Sequence, residues 1–186
     1  DSGRRDALVA LAPRHKLVSY LTFLSGAGLQ VEALDIGPAA LARLVKYAGA
    51  RRHPQFPLMP NALLINFGVD MSFLTVIWGR RTVLDRTVEF CESRLLSRLR
   101  SALDMPAELA RQVLYQDQAG QPPESEAGRI VEEVLRPELL ALQQEIDKTL
   151  VYMASRTRGK SVDVVFLSGP AGRCAIIMAS LRQHLK

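Results

Sequence analysis

The strongest constraint on the fold is three β-forming segments in close succession: ALLINF (residues 62–67), FLTVIW (73–78) and TVLDRTV (82–88). β-Branched, aromatic and other apolar residues dominate them. Turn sequences at residues 68–72 and 79–81 reverse the chain between them, so the pattern predicts a β-meander. An all-helical fold is excluded, and whatever flanks the meander must cover a sheet. The first turn, GVDMS, also poses a functional question: a glycine at a strand exit suits a phosphate-binding hairpin, and it equally suits any tight turn.

The flanking sequence alternates between the two periods. ALVALAP (7–13) reads as a short strand closed by Pro13, after which Leu17, Tyr20, Leu21, Leu24 and Gly28 follow helical spacing. LQVEALDI (29–36) alternates like a half-buried strand, and Gly37-Pro38 opens a helix predicted over residues 39–48. RRHPQFPLMP (51–60) contains three prolines and reads as a loop. Past the meander, Cys91, Leu95, Leu99 and Leu103 mark one face of a helix predicted over residues 89–103, and Asp104 with Pro106 restarts a shorter helix through Leu114. GQPPESEAG is a polar break. A long amphipathic helix over residues 125–156 follows, with Pro137 as its one candidate kink site. VDVVFLSG reads as a buried-type strand, and residues 175–185 form a last helix. The class is therefore α/β with a mixed sheet and flanking helices, and no internal repeat is visible.

Composition narrows the functional classes. The 186 residues are 48% hydrophobic and 23% charged, enough for a real core, and carry a formal net charge of +5. Their basic residues come in scattered small groups, with four Tyr and one Trp for stacking, which argues against nucleic acid. Cys91 and Cys174 belong to no CxxC or Cys/His cluster, so neither a zinc site nor a disulfide framework is indicated, and a reducing cytoplasm fits. With no apolar run of about eighteen residues and no basic-then-apolar leader, neither a membrane span nor a secretory signal is expected. The first residue is Asp1 rather than Met, as in a processed chain or an excised piece of a longer one.

No catalytic constellation emerges. His15, His53 and His184 have no triad-like or metal-like neighbours, and GxSxG, HExxH, GxxxxGK[ST] and GxGxxG are all absent. Ser168 follows a strand and precedes a helix, without an evident general base. Two glycine-bearing strand exits are the candidates for phosphate chemistry: NFGVDMS (66–72) and SGPAG (168–172).

The order of these elements carries a resemblance. Strand, glycine hairpin, a third strand, helix, a helical insertion with one long helix, then strand-Ser-Gly and a last helix resembles the second half of the actin-like ATPase fold. More closely, the chain resembles the type IV pilus assembly protein PilM family. The carrying stretches are LVALAPRHKLVSYLTFLSGAGLQVEALDIGPAALARL, LINFGVDMSFLTVIWGRRTVLDRTV, EEVLRPELLALQQEIDKTLVYMASR and VDVVFLSGPAG, with AGLQVEALDIGPAALARL the most specific. The resemblance implies an actin-like (RNase H-like) mixed sheet with a small strand-helix-strand subdomain over residues 1–37. It implies a second lobe over residues 38–186, with the helical insertion at about residues 104–157.

The same resemblance assigns a nucleotide site to Asn66, Gly68, Ser72, Ser168 and Gly169, with ATP and magnesium as cofactors of a complete member, and departures from the family pattern make that site degenerate. Asn66 stands where Asp of an Asp-x-Gly hairpin is usual, which removes a metal-water ligand. Val69, Asp70 and Met71 stand where small or hydroxyl residues are usual, and Asp70 would repel a triphosphate that it faced. Glu89-Phe90-Cys91 replaces a Gly-Gly, Ala110-Arg111 replaces an Ala-Glu, and Gly169-Pro170 replaces a second Gly-Gly with the loss of one amide donor. The family's first phosphate hairpin belongs upstream of Asp1. Hydrolysis is therefore not expected. The implied role is a cytoplasmic scaffold at the inner-membrane face of a pilus or secretion machine. Its implied partner is the cytoplasmic tail of a single-span PilN-like protein, captured by residues 7–36 through Arg14, Tyr20, Phe23 and Leu24, with self-association left open; the alternative reading is that Leu21, Phe23 and Leu24 are all core. An actin-like ATPase fragment and the cytoplasmic domain of a GspL-type secretion protein are the competing readings.

Overall fold

A computed structural model describes residues 9–52, 61–79, 81–115 and 126–185. Its centre is the expected meander, β1 (Ala62–Asn66), β2 (Ser72–Trp78) and β3 (Arg81–Val88), each antiparallel to the next. A fourth strand, β4 (Val164–Ser168), joins β1 in parallel, so the sheet is mixed, in the order β3-β2-β1-β4. An Asn61–Asp163 clamp fixes that parallel register. The Asn61 amide donates to Asp163 Oδ2 at 2.7 Å, and the Asp163 amide donates to the Asn61 carbonyl at 2.7 Å.

The two-residue period of β1 divides the core. Leu63, Ile65 and Phe67 belong to the larger cluster with Leu95, Leu99, Leu135, Leu142, Ile146 and Ile177. Ala62 and Leu64 belong to a smaller cluster with Val45, Ile77 and Leu41. Each fully buried Leu or Ile contributes about 1.5 to 3 kcal/mol relative to exposure, so the larger cluster dominates stability. It is built from α3 (Glu92–Leu103), α4 (Ala107–Tyr115), α5 (Glu126–Arg156) and α6 (Ala175–His184), after α1 (Arg14–Gly26) and α2 (Gly37–Arg52) in chain order. Asp104 ends α3 in the left-handed region at φ 47°, and Pro106 precedes α4, as a helix restart requires. The long helix α5 runs through Pro137.

Several expectations are corrected. Residues 9–13 and 29–36 are exposed and form no strand, so the predicted strand-helix-strand unit is here a helix between two segments without regular structure; residues 7 and 8 lie outside the described residues. Alternation supplies a strand with a face, yet a ladder needs a neighbour, and among the described residues nothing pairs with either segment. The helix after Gly37-Pro38 continues to Arg52, which takes Arg51 and Arg52 out of the predicted loop; the rest of that loop, with His53, lies outside the described residues. The polar break at residues 116–125 lies outside them as well. The predicted start at Glu89 gives way to Glu92, with Cys91 as N-cap. Finally, β4 is half-buried along its length rather than fully buried, because it is an edge strand.

Candidate functional site

Parallel pairing of β1 with β4 brings the two glycine-bearing strand exits side by side. The Ser168 hydroxyl donates to Asn66 Oδ1 at 3.0 Å, and the Phe67 amide donates to the Ser168 carbonyl at 2.9 Å. The Gly68 amide donates to Ser72 Oγ at 3.3 Å and closes the hairpin onto itself. Neither glycine is replaceable. A Cβ on Gly68 would lie 2.1 Å from the Met71 carbonyl oxygen, and a Cβ on Gly169, at φ +86°, would lie 1.9 Å from the Phe67 carbonyl oxygen.

The next helix meets this hairpin in a way that bears on phosphate binding. The amides of Glu92 and Ser93, in the first turn of α3, donate to the carbonyls of Gly68 and Val69 at 3.1 and 2.9 Å. A helix N-terminus binds anions through amides that have no other acceptor, and these two have one.

A cavity of ≈ 850 Å³ opens beside the hairpin between the start of α3, the face of α4 and the turn after β4. Of the five nucleotide candidates, Ser168 and Gly169 line it; Asn66, Gly68 and Ser72 do not. Asp70 is exposed and does not line it. Glu89 is exposed too and pairs with Arg94 at 3.3 Å, so the carboxylate facing the cavity is that of Glu92. The Glu92 side chain is only 3% exposed, and Arg111 Nη2 stands 3.5 Å from its Oε1. Arg111 thus brings a positive charge to this wall. Tyr115 Oη and Glu92 Oε1 are both buried without a well-formed hydrogen bond. Burial first, and then the Glu92 carboxylate, push the Tyr115 phenol well above its usual range. Glu92, Tyr115 and Arg173 escape sequence reasoning. An acidic residue in a first helical turn normally signals only a favourable dipole contact, and nothing local distinguishes a buried one.

The second candidate surface is α1. None of its residues is buried: Tyr20 is 58% exposed, Phe23 is 71% exposed and Leu24 is half-buried. Arg14 opens the helix, followed by His15 and Lys16, with no acidic residue in the first turn. Leu17, Tyr20, Leu21 and Leu24 recur at helical spacing along one side, opposite His15, Ser19 and Thr22, and Leu17 and Tyr20 on that apolar side are exposed. Among the described residues there is no group of three or more His, Cys, Asp or Glu able to hold a metal, and no helix long and apolar enough to cross a membrane.

The sequence matches the family model described as "Type IV pilus assembly protein PilM" over residues 1–186. The chain belongs to the PilM family. No curated protein matches it. Among solved structures it is similar to a chain of the PilM-PilN type IV pilus biogenesis complex, at 19% identity and TM-score 0.64, over 90% of this chain and 45% of that one. It is also similar to the ethanolamine utilization protein EutJ from Carboxydothermus hydrogenoformans, at 18% identity and TM-score 0.51, over 87% of this chain and 59% of that one. MreB5 of Spiroplasma citri bound to ADP matches at 11% identity and TM-score 0.53, over 94% and 66%. The fold is actin-like, and this PilM-family chain spans less than half the length of the chain in the PilM-PilN complex.

Proposed function

We propose that this PilM-family chain is part of a non-catalytic scaffold for type IV pilus assembly, working at the cytoplasmic face of the inner membrane. Its partner in this reading is the cytoplasmic tail of a single-span PilN-like protein. The observation that carries the proposal is α1, an amphipathic helix without one buried residue, flanked by two segments outside any strand whose apolar side chains are also exposed. A helix whose apolar side faces water leaves that side to be covered, and an extended peptide can do so by filling pockets and pairing with neighbouring backbone. Similarity to a chain of a PilM-PilN complex supports the class of partner.

Scaffolding rather than ATP turnover is supported by the α3 amides, which the hairpin carbonyls occupy, and by Asn66 in place of a carboxylate. Similarity to an ADP-bound MreB5 is what favours the competing ATPase reading. Calorimetric titration with the cytoplasmic tail of the neighbouring PilN-like protein tests the proposal. Saturable binding is expected, and a folded chain that fails to bind at up to about 1 mM, near −4 kcal/mol, would overturn it.

A further inference from the structure

Helix α5 has a break in its hydrogen-bond ladder at Pro137. Proline carries no N–H, so the Glu133 carbonyl one turn back loses its helical donor, and the proline ring crowds it. Long helices bend at such points. The next carbonyl, that of Val134, accepts from Arg98 Nε of α3 at 2.7 Å. Glu138 follows the proline with a side chain only 9% exposed, and two guanidiniums of α3 compensate its charge. Arg94 Nε donates to Glu138 Oε2 at 2.7 Å, and Arg98 Nη1 stands 3.6 Å from Oε1. α3 thus grips α5 where its own backbone is weakest.

The two parts of α5 are anchored differently. After Pro137, Gln143 donates to Ser180 Oγ at 3.0 Å, His184 Nε2 lies 2.8 Å from Asp147 Oδ1, and Glu145 is tied to Arg86, so this part is fixed to α6 and to the sheet. Before Pro137, α5 meets α3 across a groove of ≈ 880 Å³, lined on the α3 side by Ser93, Ser97, Ser101 and Ala102. Small side chains leave room there.

We propose that Pro137 is a hinge and that Arg94, Arg98 and Glu138 form the clasp that holds it. The part of α5 before Pro137 then swings over the groove on α3, while the part after it stays docked. Release is feasible because Arg94 and Arg98 are 49% and 41% exposed, so water can take their places on the Val134 carbonyl and the Glu138 carboxylate. Arg94 also pairs with Glu89 at 3.3 Å and stands two residues beyond Glu92, so release of the clasp reaches the α3 wall of the candidate cavity. The hinge is separate from α1 and does not rest on the scaffold reading.

Hydrogen exchange on the full chain tests the proposal. Arg98→Met keeps the apolar stem and removes the bond to Val134. It is expected to speed exchange of the amides of residues 129–136 by about tenfold or more and to leave those of residues 142–153 within about twofold of the parent. Pro137→Ala restores the missing N–H, and in that background Arg98→Met should have almost no effect on residues 129–136. Equal acceleration in both parts of α5 overturns the proposal, since Arg98 would then stabilise the whole fold. An effect of the same size with and without Pro137 overturns it too, as does an Arg98→Met chain that exchanges like the parent. Should Arg98→Met fail to fold, pulsed dipolar distances between spin labels at positions 130 and 151 decide, both being exposed while Cys91 and Cys174 are buried. A distance spread that narrows with Pro137→Ala supports the hinge, and an unchanged spread refutes it.

Discussion

The amide of Ser93 donates to the carbonyl of Val69 at 2.9 Å, so the first turn of α3 is bonded to the hairpin that precedes it. The predicted consequence is weak nucleotide binding. Without free amides there, a nucleotide forfeits several charge-assisted hydrogen bonds of about 1.5 to 3 kcal/mol each, so the dissociation constant for ATP is expected above about 100 μM. Equilibrium dialysis with labelled ATP, with and without magnesium, measures it. Magnesium-dependent phosphate release above a buffer blank would refute the degenerate-site reading.

Gly169 is the position where the frame of that site is least tolerant. At φ +86°, with the Phe67 carbonyl oxygen 1.9 Å from where a Cβ would stand, alanine meets both backbone strain and a backbone clash. Gly169→Ala is expected to cost at least about 2 kcal/mol and to lower Tm by roughly 4–8 °C. Gly28, at φ +79° in open space, separates the two effects: Gly28→Ala meets the strain alone and should cost about 1 kcal/mol. Equal losses in thermal melts of the two variants would show that the Phe67 carbonyl adds nothing to the cost at Gly169.

Elements whose stabilising contacts are signalled locally were legible in the sequence. The meander announced itself through residue type and turns, and α3 through Leu95 and Leu99, both of which are buried. From the order of such elements came the family and the actin-like fold. Features that depend on a distant neighbour were not legible. Leu29 and Val31 alternate as in a strand and still form none, because no ladder partner is present among the described residues. β4 reads as doubly covered, and only the sheet order shows that it is an edge. In the candidate site, Asn66, Gly68, Ser72, Ser168 and Gly169 do come together, since the strand exits carrying them are neighbours. Glu92 stayed hidden because its burial is decided by α4 and the turn after β4, far away in sequence.

Glu145 links acid stability to the contact between β3 and α5. A hydrogen bond from Lys148 and the nearby Arg86 guanidinium hold its carboxyl below the ordinary value of 4.5, with burial opposing them. A depressed folded pKa contributes stability that is complete above the unfolded value and disappears as pH falls through the folded one. Glu145→Gln should therefore melt below the parent at neutral pH, and the gap between the two should close well below pH 4.5. A gap that stays constant across that range in pH-resolved thermal melts would show that the carboxylate charge contributes nothing.

Phe23 separates a binding role from a core role, which its sequence alone leaves open. It is 71% exposed on a helix with no buried residue, so Phe23→Ala removes almost no packed surface. Its effect on stability is expected within about 0.5 kcal/mol, as for other exposed substitutions. If Phe23 is an anchor for the partner tail, the same change costs about 1 to 3 kcal/mol in binding, a loss of roughly 5- to 150-fold in affinity. Salt distinguishes the anchor from electrostatic steering. Contacts through Tyr20, Phe23 and Leu24 are apolar, so the affinity should fall only modestly between low and high ionic strength, whereas Arg14 and Lys16 act mainly on the association rate. Thermal melts and titrations on the same preparation, repeated at two salt concentrations, supply all three readouts. A variant that loses stability and keeps its affinity would return Phe23 to the core and remove α1 from the partner surface.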